Sequence, residues 1–170
     1  FVAVMVMVML AGLADSFVEL LIGPKWLGVV RMLKLLCVLG ILYPMHAANM
    51  NLLKAVGRSD RFLYLEVCKK VVVVISIFLT YRHGVEMMIV GMIFSSLIGL
   101  LLNCYYTFRE IRVGVYEQVY LIRWVLLAGL FIYIVLEMWN FVVGVGPLGK
   151  FIGGLGVWGG LAFAALWFLG

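Results

Sequence analysis

The chain alternates long apolar stretches with short polar turns, and this alternation predicts its fold. A helix needs about 20 mainly apolar residues to cross a hydrocarbon core of roughly 30 Å. Six stretches meet that length, at about residues 1–22, 27–56, 62–81, 85–108, 119–139 and 141–170. We therefore predict an all-α fold, a polytopic transmembrane bundle of about six helices.

Glycine and proline mark several boundaries of these stretches. Gly23 and Pro24 end the first stretch, and the following Lys25 and Trp26 are typical of a membrane interface. Pro44 lies inside the second stretch, where the loss of one backbone hydrogen bond predicts a kink. Small residues recur at spacings typical of close helix packing in the last stretch, at Gly149, Gly153, Gly156 and Gly160.

Composition excludes an ordinary soluble domain. The chain is 66% hydrophobic and 12% charged, whereas soluble domains are roughly 45–50% apolar and about 25% charged. A soluble domain of 170 residues could not bury so much apolar surface. The net charge of +5 comes from basic residues near the turns, which indicates membrane topology and predicts no nucleic-acid partner. The three cysteines show no CxxC spacing, so no metal and no cofactor is predicted.

The distribution of Lys and Arg predicts the orientation. Eight of the 13 basic residues lie on the side of the Gly57 turn, and five lie on the other side. Because cytoplasmic loops carry the excess, we place that turn in the cytoplasm and the chain in the bacterial inner membrane as a multi-pass protein. The chain opens without Met and stops inside an apolar run, so we expect it to be part of a longer protein.

Polar side chains within the second stretch are the first candidate site. At about 100° per residue, Arg31 and Asn49 fall at one angle of an ideal helix, and Lys34 and His46 lie about 60° to either side. These four residues could line a hydrophilic cavity that attracts an anionic head group. Alternatively, the two cations snorkel to the interface while His46 and Asn49 bond neighbouring helices.

Acidic residues near the predicted outer surface are the second candidate. Asp15 and Glu19 lie one helical turn apart, where they could pair with Arg31 or Lys34 or carry a coupling proton or cation. We assign Glu137, near the end of the fifth stretch, to the interface.

No catalytic residue is predicted. The chain has no HExxH, GxSxG or P-loop motif, and His46 is a lone histidine in apolar surroundings. An enzymatic function therefore has little support in the sequence.

Several polar segments follow one another at a characteristic spacing. They read LIGPKW at 21–26, YPxHxxNxNLL at 43–53 and GRSDxFLxLExxKK at 57–70, followed by Asn103, Tyr105, Tyr106, Tyr116 and Gln118. In order and spacing they resemble segments of polysaccharide biosynthesis flippases, the Wzx-type group of the MOP exporter superfamily. The last two stretches match only as generic hydrophobic helices.

That resemblance implies a fold and a function. Such proteins have 12 to 14 helices in two pseudo-symmetric lobes around a central cavity, and this chain resembles part of the C-terminal lobe. The implied partners are a missing N-terminal lobe of the same protein, membrane lipids and a lipid-linked oligosaccharide. The implied function is export of undecaprenyl-pyrophosphate-linked oligosaccharide units for surface polysaccharide synthesis, by alternating access.

Three alternatives stay open at this point. One is a MATE-like antiporter of drugs or other small molecules, for which a carboxylate deep in a helix would be expected. Another is a membrane enzyme of envelope polysaccharide synthesis that uses His46. The third is a membrane scaffold without catalytic or transport activity.

Overall fold

The computed structural model describes the backbone of residues 2–57, 59–111, 115–142 and 146–169. Side chains of residues 59–61, 110–111, 115, 117–119, 121–122 and 168–169 are outside the description. All regular structure in the described ranges is helical, which confirms the all-α class. Arg58, Arg61 and Arg112, used to predict the orientation, and Gln118 of the matched segment lie outside the described side chains.

Five of the six predicted stretches each correspond to one long helix, and the helix of the last stretch begins six residues after the predicted start. The helices are α1 (Val2–Gly12), α2 (Ala14–Leu21), α3 (Val30–Ala55), α4 (Ser59–Thr80), α5 (Val85–Ile111), α6 (Val115–Val142) and α7 (Pro147–Leu169). Two short 3-10 helices, Pro24–Val29 and Tyr81–His83, lead into α3 and follow α4. Helix α3 continues through Pro44.

Four helical segments in the described ranges are long and apolar enough to cross a membrane. They are Pro24–Ala55, Val85–Arg109, Arg123–Val142 and Pro147–Trp167, and α1 with α2 would make a fifth if the bent pair is one span. Helix α4 is not among them, although the sequence predicts a span at about 62–81. The reason is that Glu66, Lys69 and Lys70 lie inside its apolar stretch.

The stretch predicted as a first single span, about 1–22, is two helices bent by 69°. The break falls at Leu13, between α1 and α2. At this break Asn140 Nδ2 donates a hydrogen bond of 2.7 Å to the carbonyl oxygen of Gly12. A side chain at Gly12 would also approach Leu136 within 2.8 Å. Close packing against α6 and a polar partner for a freed carbonyl therefore stabilise the bend, and hydropathy does not reveal either contact.

Glycines have two different roles in the described chain. Gly23 and Gly57 adopt positive φ angles of 104° and 74° and let the chain turn after α2 and α3. In α7, a side chain at Gly153 would lie 2.5 Å from the Trp139 ring. A Cβ at Gly156 or Gly160 would meet nothing within 4 Å. The close packing predicted for the α7 glycines therefore holds at Gly153 and not at those two.

The chain divides into two compact units. Unit 1 comprises residues 1–41 and 122–170, and unit 2 comprises residues 42–121. The main core of unit 1 is apolar, with Val4, Met5, Val8, Leu13, Ile132 and Leu136 all nearly inaccessible. The most deeply buried side chains of unit 2 include polar ones as well as Leu53 and Leu65, namely Asn49, Asn103 and Thr107. The interior of unit 2 is thus the more polar of the two.

Candidate functional site

Unit 1 holds a charged cluster centred on Lys34. The Lys34 ammonium lies 3.0 Å from Asp15 Oδ2 and 2.9 Å from Glu137 Oε1. The Tyr133 hydroxyl, one turn before Glu137 on α6, donates a 2.8 Å hydrogen bond to the same Glu137 oxygen. The Lys34 side chain is 28% exposed and is therefore only partly buried. One cation is therefore held between two carboxylates that come from α2 and α6.

A cavity of about 750 Å³ opens beside this cluster within unit 1. Its polar lining residues are Asp15, Arg31, Lys34 and Tyr133. The rest of its wall is mainly apolar and includes Val4, Val8, Ala11, Val38, Ile41, Leu126 and Leu130. Such a volume is ordinary for a small-molecule site, which spans about 300–1,000 Å³.

The polar residues of this wall are grouped toward one end of the helices, where Leu27 and Val30 also line it. On α3 the charged Arg31 and Lys34 precede the apolar Val38 and Ile41. Lys34 and Ile41 are seven residues apart, a rise of about 10 Å. The cavity therefore has one end with charged residues and one apolar end. An amphiphilic ligand, with a charged head and an apolar tail, matches this distribution.

The structure places the predicted site residues in two separate groups. Arg31 is exposed and lines the cavity of unit 1 together with Lys34 and Asp15. Glu19 is half-buried on α2 and is not among the residues that line this described cavity. His46 and Asn49 belong to unit 2. Asp15 thus pairs with Lys34, which was one of the alternatives that the sequence left open for it.

His46 is held in unit 2 between two polar side chains of α5. Its Nε2 lies 3.0 Å from Ser96 Oγ, and its Nδ1 lies 3.1 Å from Asn103 Nδ2. With Asn103 donating to Nδ1, the ring proton is on Nε2 and is donated to Ser96. Asn49 is 1% exposed, and its amide donates a 3.1 Å hydrogen bond to the Met45 carbonyl. The two His46 contacts join α3 to α5, whereas the Asn49 bond to Met45 lies within α3.

His46 contacts Ser96 on one side and Asn103 on the other. A hydroxyl nucleophile, a histidine base and an orienting amide are connected in the same way in some catalytic sites. Rotating the Asn103 amide would direct its Oδ1, which has no hydrogen-bond partner in the described part, toward His46 Nδ1. Ser96, however, is not among the residues lining the described cavities. Hydrogen bonds of this kind also join transmembrane helices without any chemistry, so the geometry supports interhelical bonding first.

Unit 2 has a second polar cavity, of about 510 Å³, beside His46. It lies between the second half of α3 and the first half of α4, and its charged lining residues are Lys54, Glu66, Lys69 and Lys70. Within the described residues, no group of three or more His, Cys, Asp or Glu side chains could hold a metal ion.

The sequence did not lead us to four residues of these sites, namely Glu137, Tyr133, Ser96 and Asn103. Glu137 was assigned to the interface, whereas its carboxylate binds Lys34 and Tyr133. The i,i+4 spacing of Tyr133 and Glu137 was a usable signal, because it places both side chains on one helix face. Ser96 offered no comparable pattern, since its partner is 50 residues away.

No protein-family model matches the chain, and no curated protein and no solved structure matches it.

Proposed function

We propose that this chain is part of a flippase that exports undecaprenyl-pyrophosphate-linked oligosaccharide units across the bacterial inner membrane by alternating access. The observation that carries the proposal is the cavity of unit 1, with Arg31 and Lys34 at its charged end and aliphatic side chains along the rest. A ligand with an anionic head and an apolar tail fits this distribution. The ordered polar segments between residues 21 and 118 agree with it.

The exposed surface supports placement in a membrane. Large apolar side chains are exposed on the long helices, for example Phe78 at 73%, Phe94 at 66% and Trp167 at 80%. In water such surfaces would cause association, whereas acyl chains solvate them at no cost. The four membrane-length apolar segments agree with this placement.

The charged cluster suggests how a cargo would be held and released. Lys34 is already neutralised by Asp15 and Glu137, so an incoming pyrophosphate must compete with these carboxylates. Protonation of either carboxylate would weaken its hold on Lys34 and turn the ammonium toward the cargo. Exchange of partners at Lys34 would then couple head-group binding to a proton or ion gradient. On this proposal an N-terminal lobe supplies the opposite wall of the pathway.

The test uses the full-length protein in cells that depend on it for surface polysaccharide. We expect Arg31→Ala with Lys34→Ala to abolish export, because both cations of the cavity are lost. Lys25→Ala is the matched control, since Lys25 is exposed and outside the cavity lining. Protein level in the membrane is measured for each variant, so that loss of folding is separated from loss of transport.

Two outcomes would contradict the proposal. Normal export by the double variant, and by a triple variant that adds His46→Ala, would remove the cationic residues from any transport role. Covalent modification of the glycan by the purified protein would favour a membrane enzyme instead.

One observation favours a second candidate, a MATE-like antiporter of small molecules. A cluster of two carboxylates around one lysine resembles an ion-coupling site more than a simple anion site, because its net charge is negative. Reconstituted full-length protein would separate the two candidates. Proton-driven movement of organic cations without movement of lipid-linked oligosaccharide would support the antiporter.

A further inference from the structure

The second cavity, in unit 2, combines a surplus of positive charge with an adjoining apolar furrow. Its lining includes three lysines, Lys54, Lys69 and Lys70, against one carboxylate, Glu66. The α3 and α4 segments around it are joined by the turn at Gly57, which the basic residues place on the cytoplasmic side. Anionic lipids give that leaflet its negative surface potential.

Only one of the lysines is matched by an acidic partner among the described residues. Lys69 Nζ lies 2.5 Å from Glu66 Oε1 and 3.4 Å from Met50 Sδ, and its side chain is 15% exposed. An ammonium has three donors, and these contacts provide one strong acceptor and one weak one. Lys69 thus retains donor capacity toward the cavity that it lines.

Lys54 and Lys70 supply the surplus charge. Both side chains are exposed, and the Lys54 ammonium lies 4.8 Å above the Phe62 ring. This cation–π contact holds Lys54 against another residue of the cavity wall without neutralising its charge. Flexible point-charge donors of this kind suit a phosphate group, which has several acceptor oxygens.

An apolar furrow runs from this cavity along one face of α4. It consists of two shallow cavities of about 390 and 360 Å³ that share Val74. The first also shares Glu66 and Lys70 with the lysine cavity, and the second ends at Tyr81. From Glu66 to Tyr81 the helix rises about 22 Å, which is of the order of an extended acyl chain.

We propose that unit 2 binds one anionic phospholipid, with the phosphate among Lys54, Lys69 and Lys70 and an acyl chain in the furrow of α4. The site is distinct in sequence and lining from the cavity assigned to the cargo. It also accounts for α4, where three charged residues would be costly in hydrocarbon. A bound phosphate and the water around it would solvate these charges.

The test measures lipid binding to the purified full-length protein in neutral detergent, by native mass spectrometry. We expect one phosphatidic acid to bind more tightly than phosphatidylcholine. In the double variant Lys54→Gln with Lys70→Gln, binding of phosphatidic acid should weaken about 25-fold, at about fivefold for each cation. The matched control is Lys25→Gln with Lys150→Gln, which removes the same charge from unit 1 and should leave binding unchanged.

Glu66→Gln separates binding from folding. Removing this carboxylate releases Lys69, so phosphatidic acid should bind about fivefold more tightly. Damage to the fold cannot produce such a gain. Equal weakening by both double variants, or no preference for phosphatidic acid over phosphatidylcholine, would overturn the proposal.

Two measurements test whether the bound phosphate group belongs to a lipid or to a soluble molecule. One is competition by inorganic phosphate, and the other is the substitution Val74→Thr. We expect millimolar inorganic phosphate to compete poorly with phosphatidic acid, because it has no chain to occupy the furrow. Val74→Thr should weaken phosphatidic acid binding and leave phosphate binding unchanged. Competition by inorganic phosphate at the concentration of the lipid would contradict a lipid site and indicate a site for a soluble phosphate.

Discussion

Lysines in the two units differ in how many acidic partners they have. In unit 1 Lys34 has two carboxylate partners, Asp15 and Glu137, at 3.0 and 2.9 Å. The cavity of unit 2 is lined by three lysines and one carboxylate, Glu66, which pairs with Lys69. The first arrangement gives a cation two carboxylate partners, and the second leaves an excess of positive charge. The difference teaches that a ligand must displace carboxylates to reach Lys34, whereas it can reach the lysines of unit 2 without doing so.

The two arrangements should respond differently to substitution. Removing a cation from a satisfied cluster leaves charges of one sign close together, so stability falls. Removing a cation from a surplus relieves repulsion, so stability is little affected and ligand binding falls instead. Four experiments compare the two units in this respect, from the largest expected effect to the smallest.

Lys34→Met should give the largest loss of stability. It leaves Asp15 and Glu137 facing each other without their shared cation. We expect a loss of about 2 kcal/mol, between the values for exposed pairs and for fully buried pairs, because all three side chains are partly exposed. Thermal unfolding of the purified protein in detergent measures it, with Lys25→Met as the control. A loss no larger than that of the control would remove the distinction between the units.

Glu137→Gln should cost more than Asp15→Asn. Glu137 accepts from both Lys34 and Tyr133 and is 38% exposed, whereas the Asp15 side chain is 56% exposed. We expect about 1 kcal/mol for Glu137→Gln and about half of that for Asp15→Asn, because exposed pairs are screened by solvent. The same unfolding assay measures both variants. The reverse order would mean that Asp15 is the principal partner of Lys34.

Ser96→Ala tests the polar interior of unit 2. It removes the hydroxyl that lies 3.0 Å from His46 Nε2. Interhelical hydrogen bonds of this kind are worth about 0.6 kcal/mol on average in membrane proteins, so we expect a loss of that size. A double-mutant cycle with His46→Leu isolates the coupling between the two side chains. Zero coupling would show that the contact adds nothing to stability.

Lys54→Gln with Lys70→Gln should have the smallest effect on stability. Both side chains are exposed, so we expect a change within about 0.5 kcal/mol. The measurement is thermal unfolding without added lipid, followed by the same assay with phosphatidic acid. Stabilisation by the lipid should be smaller in the variant than in the wild type. A large loss without lipid would mean that these lysines belong to the internal packing of unit 2.

Much of the helical architecture was predictable because it depends on local properties. The predicted stretch 85–108 lies within α5, Val85–Ile111. The predicted turn after α3 contains Gly57, whose positive φ suits glycine. Helix α4 shows the limit of hydropathy. Its three charged residues weaken its membrane signal, although the helix itself is continuous.

The candidate sites were less predictable, because the angular position of a residue on its own helix does not show which residues of other helices lie next to it. Arg31 and Asn49 fall at one angle of an ideal helix, yet Arg31 lines a cavity in unit 1 and Asn49 is buried in unit 2. The role of Glu137 depends on Lys34, which is 103 residues away. No local pattern in one sequence encodes such a pair.

The sequence by itself determined the helical class, the apolar character of the segments and the positions of most turns. These follow from residue-by-residue hydropathy and backbone preference, which act over a few residues. Only the tertiary structure decided that Lys34 meets two carboxylates, that α1 and α2 are bent apart at Leu13, and that the lysines of unit 2 surround a cavity. Those features depend on which helices pack together, because hydrogen bonds and ion pairs act over about 3 Å between residues far apart in the chain.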